Sequence, residues 1–186
     1  MAIKQVAVPD GRARIIHTGL TEEIVIPARR NWFALGFLPI WLALWSLGGI
    51  VAVYALFTEF QLFLLVWLCG WALGWLYAAS TIAWQLFGEE TIRVEAGQLI
   101  HSCRAPLWNR ELAYDVAQIR GLSPDRGPSF FEGAQFQTPL LTYGRIGVIK
   151  FHYGAKTIHM ASSLDEAEGR QLVDWLAARL PLSAGQ

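Results

Sequence analysis

Charge is scarce in this 186-residue chain, where Asp, Glu, Lys and Arg together make up 16% of the residues, against roughly a quarter in ordinary soluble domains. The deficit is concentrated in one place. Trp32 to Phe57 and Leu62 to Phe87, 26 residues each, contain no Asp, Glu, Lys, Arg or His, and Glu59 is the one acidic or basic side chain between Arg30 and Glu89. A helix of that length reaches about 39 Å, more than the roughly 30 Å hydrocarbon core of a bilayer. An ordinary soluble domain is therefore excluded for the chain as a whole. Thr58-Glu59-Phe60-Gln61 leaves room only for a tight turn, so the two runs are expected to form an antiparallel transmembrane hairpin.

Cysteine is also nearly missing. Cys69 falls inside the second apolar run and Cys103 in the polar part, so the two are not expected to pair. Neither is read as having a second Cys or a His at ligand spacing, which predicts no zinc knuckle, no redox motif, no metal and no cofactor. The first 30 residues lack a short apolar core followed by a cleavage site, so no removable signal peptide is expected. The sequence contains no Gly-x-Ser-x-Gly, no His-Glu-x-x-His, no glycine-rich phosphate loop and no paired intramembrane carboxylates, which argues against an enzyme. The balance of 15 cations and 15 anions distinguishes no partner, and nucleic acid is not expected to be one.

What is present gives orientation. Arg12, Arg14, Arg29 and Arg30 precede the first run, whereas the turn between runs carries no Lys or Arg, so the N-terminus is expected in the cytoplasm. An even number of spans returns Glu89 onward to the same side. Arg29 and Arg30 would meet lipid head groups, with Trp32 and Trp84 as interfacial anchors. Along the second run Gly70, Gly74 and Ala78 recur every four residues, as do Trp67, Trp71 and Trp75. The small residues would let a helix approach closely, with Gly48, Gly49 and Ala52 of the first run as a matching surface. The tryptophans read as lipid-facing bulk or as a docking ridge for another membrane subunit. Pro39 predicts a bend near Leu35.

Outside the hairpin the pattern is that of strands. Ala13 to His17 and Glu23 to Pro27 flank a Thr-Gly-Leu turn and could form a hairpin or extend a larger sheet. Thr91 to Val94, Leu99 to Cys103, Arg110 to Tyr114 and Val116 to Leu122 suggest an antiparallel meander. Residues 123–144 read as a long loop whose Phe130, Phe131 and Phe136 would contact membrane or partner, or pack on their own domain. Ile146 to Tyr153 and Lys156 to Ala161 form the clearest hairpin, turning at Gly154-Ala155. Its register would pair Phe151 with Ile158 and Ile149 with Met160 on an apolar face. Lys150, His152 and His159 would share the other face, as a solvated surface or a possible ligand patch without a carboxylate. Ser163-Leu164-Asp165-Glu166 has capping-box spacing, and Ala167, Leu172, Val173, Leu176, Ala177 and Leu180 form the apolar stripe of a closing helix ended by Pro181.

The order of these elements resembles the bacterial pleckstrin-homology-like membrane proteins. The likeness is carried by Gly88-Glu89-Glu90-Thr91-Ile92-Arg93-Val94, by Arg110-Glu111-Leu112-Ala113-Tyr114-Asp115 with Ile119-Arg120, by Phe151-His152-Tyr153-Gly154, and by Ser163 to Leu180. It implies a membrane α+β protein: a cytoplasmic N-terminal segment (1–30), a two-helix hairpin (31–88), and a PH-like antiparallel β-barrel or sheet with a C-terminal amphipathic helix (89–181). About six strands follow the hairpin in the sequence, so the resemblance requires a seventh from the long loop or the N-terminal segment. Glu95-Ala96-Gly97-Gln98 occupies the loop where phosphoinositide-binding relatives place cations, which argues against inositol lipids. The expectation is a non-enzymatic scaffold or accessory subunit of the bacterial inner membrane, a homo-oligomer or part of a larger complex. A lipid- or ligand-sensing module is the alternative.

Overall fold

A computed structural model describes residues 11–18, 21–106, 108–126 and 143–180. Its elements follow in the order β1 (Arg14–Thr18), β2 (Thr21–Pro27), α1 (Trp32–Thr58), α2 (Leu62–Phe87), β3 (Glu89–Glu95), β4 (Gln98–Ala105), β5 (Trp108–Asp115), a 3₁₀ turn (Val116–Gln118), β6 (Ile119–Pro124), β7 (Ile149–Tyr153), β8 (Lys156–Met160) and α3 (Glu166–Ala177). Antiparallel pairing joins β1 to β5 in chain order as one sheet and β6 to β8 as another. Among the described residues the sheets do not close into a barrel, and the expected long loop adds only Ser123 and Pro124, the end of β6.

The two helices are inserted between neighbouring strands. β2 pairs with β3 up to Pro27 opposite Glu89, and the Ala28 amide donates to the Gly88 carbonyl at 2.9 Å. A side-chain bond repeats the closure at the root, where the Asn31 amide donates to Gln85 Oε1 at 2.9 Å. Asn31 then caps α1 by accepting from the amides of Phe33 and Ala34, filling donors that a first helical turn leaves open. The N-terminal strands are thus part of the main sheet, and both ends of the hairpin are fixed to adjacent positions on it.

Both helices are long and apolar enough to cross a membrane, and only 11% of each apolar window is buried. A core helix of a soluble protein would be covered on most sides. Here Leu44, Leu47, Ile50, Leu73 and Leu76 are exposed. Contact between the helices is narrow, with Ala34, Leu38, Leu42 and Ala78 at its centre. Helix α1 runs through Pro39 without interruption.

The β-domain has the opposite distribution. Ile24, Ile26, Ile92, Leu99, Ile119, Ile149, Phe151, Met160 and Leu176 are essentially solvent-free and form one cluster from both sheets and α3. The β7–β8 register is the one expected from the alternation, with Phe151 opposite Ile158 and Ile149 opposite Met160. Helix α3 packs through Leu172 and Leu176, and Leu180 just beyond it is also buried, whereas Ala167 and Ala177 of the expected stripe lie outside. Its capping box begins at Asp165, not Ser163: Asp165 accepts from the Glu168 amide at 2.8 Å and Glu168 accepts from the Asp165 amide at 3.1 Å. Ser163 is buried ahead of the helix. A Cβ on Gly169 would sit 2.7 Å from Val148 Cγ2, so the glycine that weakens the helix also lets it lie close against the residue before β7. Arg179 stacks over Trp175 and bonds Glu22 of β2 through Nε at 2.9 Å, tying the last helix to the first sheet.

Candidate functional site

Inward-facing positions on a strand recur every second residue, and on β4 these are Leu99, His101, Cys103 and Ala105, all buried. Opposite them on β3, Glu90 pairs with Cys103 and Ile92 with His101. Cross-strand neighbours share a face, so the topology brings an acid, an imidazole and a thiol together beside the core. His101 and Glu90 side chains are 2% exposed. One ligating atom from each of Glu90, His101 and Cys103 lies within 4.8 Å of the others.

Glu90 is saturated with donors. His101 Nε2 donates to its Oε1 at 2.7 Å, the Ala161 amide donates to the same oxygen at 2.6 Å, and the Ser162 amide and hydroxyl donate to Oε2 at 3.1 and 3.4 Å. Burial works to raise this carboxyl. The hydrogen bond and charge of His101, with the Ala161 and Ser162 amides, outweigh it and hold Glu90 below the usual carboxylate range. Ala161 has φ +61°, a left-handed conformation unusual for a residue with a Cβ, so Glu90 anchors the one tight bend between β8 and α3. The Cys103 sulfur lies 3.8 Å from the same Nε2. Burial and the charge of Glu90 push its thiol far up, with Arg110 acting weakly against them.

Aromatic rings wall the cluster. Tyr143 stacks on His101 with ring centroids 4.7 Å apart, and its hydroxyl donates to the His101 carbonyl at 2.5 Å. Arg110, opposite Cys103 in the β4–β5 register, places its guanidinium 4.8 Å from the Tyr143 ring centre. From the root of the hairpin, Trp84 of α2 packs against Cys103, Ala105 and Tyr143 and stacks on Trp108 at 5.6 Å.

Nucleophilic catalysis requires a thiol on one imidazole nitrogen and an orienting group on the other. Here both Cys103 and Glu90 address Nε2, and His101 Nδ1 is buried without a partner among the described residues. The arrangement is not a thiol–base–acid relay. Its donor set of carboxylate oxygen, imidazole nitrogen and thiol sulfur is of the kind that a tetrahedral metal ion accepts. The sequence alone predicts no metal here, since Cys103 is read as having no histidine at ligand spacing. His101 stands two residues away on the same strand face, and that strand spacing was the available signal. Glu90 could be joined to them only through the β3–β4 register.

Comparison with family models, with curated proteins and with solved structures finds no match.

The structure disperses the residues singled out on α2. Trp71 fills the space over Gly49, where an added Cβ would lie 2.2 Å from its ring, and Trp75 Nε1 donates to Ser46 Oγ at 2.9 Å. Ala78 is in the helix contact. Gly74 faces Trp45 at the limit of contact, but Gly70 and Gly48 face open space and Trp67 is 46% exposed. The helices therefore meet by indole rings seated against Gly49 and Ser46, not by a glycine seam running the length of α2. Trp84, expected as an interfacial anchor, is 4% exposed and covers the end of the sheet. Arg29, Arg30 and Trp32 are exposed.

The polar face of β7–β8 contains a carboxylate that the sequence pattern did not place there. Asp125, just past β6, accepts from Lys150 Nζ at 3.3 Å and lies 3.3 Å from His159 Nδ1. His152 instead meets Thr157 Oγ1 at 3.2 Å. The aromatic residues Phe130, Phe131 and Phe136 lie outside the described residues.

Proposed function

We propose that this chain is a non-enzymatic integral protein of the bacterial inner membrane, a scaffold or accessory subunit. In this reading its hairpin docks within the bilayer while a PH-like domain binds a protein partner in the cytoplasm. The observation that carries the reading is the closure of both hairpin ends on adjacent strands beneath two helices whose apolar faces are uncovered. A bilayer is the medium that solvates such faces, since their backbone polar groups are satisfied within each helix. Because β2 and β3 are paired neighbours, the strands on either side of the hairpin must lie on one side of the membrane. The cations before α1 support the cytoplasmic side. Trp67 and Gly70, three residues apart on an open face of α2, are the available docking surface; Trp71, Trp75 and Ala78 are occupied within the hairpin.

Two measurements test this reading. With single cysteines placed at Glu59 and at Glu111, in a background lacking Cys69 and Cys103, an impermeant thiol reagent should label Glu59→Cys in intact cells and Glu111→Cys only once the membrane has been opened. Labelling of both in intact cells, or of neither until the membrane is opened, would overturn the topology. Mild detergent extraction followed by mass determination should give a species larger than the monomer, reduced by Trp67→Ala with Gly70→Leu. A monomer under the mildest extraction would remove the docking role.

A further inference from the structure

We propose that Glu90, His101 and Cys103 bind one zinc ion, with a water as fourth ligand, and that this ion fastens the root of the hairpin to the sheet. The geometry is close to that of a bound site. Zinc holds nitrogen at about 2.0 Å and thiolate at about 2.3 Å in a tetrahedron, which puts the two ligand atoms roughly 3.5 Å apart. His101 Nε2 and Cys103 Sγ are separated by 3.8 Å. The 2.7 Å contact between Nε2 and Glu90 Oε1 needs to open by about half an ångström as the ion replaces the proton between them, again from the bond lengths of zinc sites.

The surroundings are those of a ligand set held in advance. All three residues stand on paired strands, and Glu90 is oriented by the amides of Ala161 and Ser162, the kind of outer contact that fixes a ligating carboxylate. Mixed nitrogen, sulfur and oxygen donors favour zinc over calcium or magnesium, which take oxygen alone. Charge points the same way. Zinc with one carboxylate and one thiolate is neutral overall, so the bound ion would leave no net charge in this dry site. Trp84 and Cys103 belong to one buried cluster, so the ion would stiffen the junction between α2 and β4.

The test uses the full chain purified in detergent. Metal analysis of the protein as isolated should give close to one zinc per chain. After chelation, cobalt(II) should produce a thiolate-to-cobalt absorption band that saturates at one equivalent and is displaced by zinc. Cys103→Ala should lose the band and weaken zinc binding beyond the roughly 100-fold that loss of a supporting contact produces, while Cys69→Ala should retain both. Should Cys103→Ala fail to fold, the wild-type cobalt titration with the Cys69→Ala control decides alone. Absence of zinc in the isolated protein together with no cobalt band, or a band that disappears in Cys69→Ala, overturns the proposal.

Discussion

The hairpin and the β-domain put similar apolar residues to opposite use. Leu47 in α1 is 61% exposed, whereas Leu99 in β4 is fully buried. Within the hairpin Leu38 and Leu42 turn inward, but the other inward contacts rest on small residues, indole rings and one hydroxyl, as where Trp71 overlies Gly49 and Trp75 bonds Ser46. Within the β-domain the inward contacts are mainly aliphatic with Phe151 and Tyr114 among them, and the buried titratable pair Glu90 and His101 bond each other. The difference is the one expected if the hairpin faces lipid, as proposed, and the β-domain faces water. Water drives leucine inward, but lipid gives it no such drive, and helix contact then rests on close packing and hydrogen bonds.

The comparison breaks most visibly at its polar exceptions. Glu90→Ala removes the acceptor of four donors and should destabilise the β-domain by about 3–5 kcal/mol, the cost of breaking a buried pair, measured by denaturant unfolding in detergent. In the same measurement Phe151→Ala should cost about 3–5 kcal/mol, as for other fully buried aromatic rings, whereas Leu47→Ala should change β-domain stability by less than about 0.5 kcal/mol. An insertion reporter reverses the ranking. Leu47→Arg should disfavour membrane insertion by about 2.5–3.5 kcal/mol, while an arginine at exposed Ala113 should leave insertion unchanged.

The smallest effect is electrostatic and confined to the polar face of the three-stranded sheet. Partial burial pulls the Asp125 carboxyl up, but the Lys150 hydrogen bond, the Arg126 amide and the charges of Lys150 and His159 outweigh it and hold it below its ordinary range. A carboxyl lowered on folding adds stability above its unfolded pKa, and that stability is lost as pH falls through the folded value. Unfolding of Asp125→Asn against wild type should therefore differ at neutral pH and converge in acid, below the usual carboxylate range.

Particular elements show how far the sequence could be read. The β7–β8 register followed from alternation, because one buried face specifies which residues must point together. The strands before the hairpin were visible, but their place in the main sheet stood only as one of two alternatives, because a pairing such as Pro27 with Glu89 leaves no local trace. Asp125 joined Lys150 and His159 only through the β6–β7 contact. The capping box lies two residues beyond the Ser163–Glu166 spacing, because Asp165 with Glu168 three residues on repeats the same signal, and the helix that starts there buries Leu172 and Leu176.

The chain's own order of residues determined that two stretches are too apolar and too long for a water-facing surface, and that the remainder alternates as strands, since both properties depend on near neighbours alone. Only the tertiary structure decided that Glu90 meets His101 and Cys103, that Trp84 covers the sheet, and that β2 lies beside β3. Those contacts join positions far apart in the chain or on different elements, and their geometry is set by register and packing, which no single segment contains.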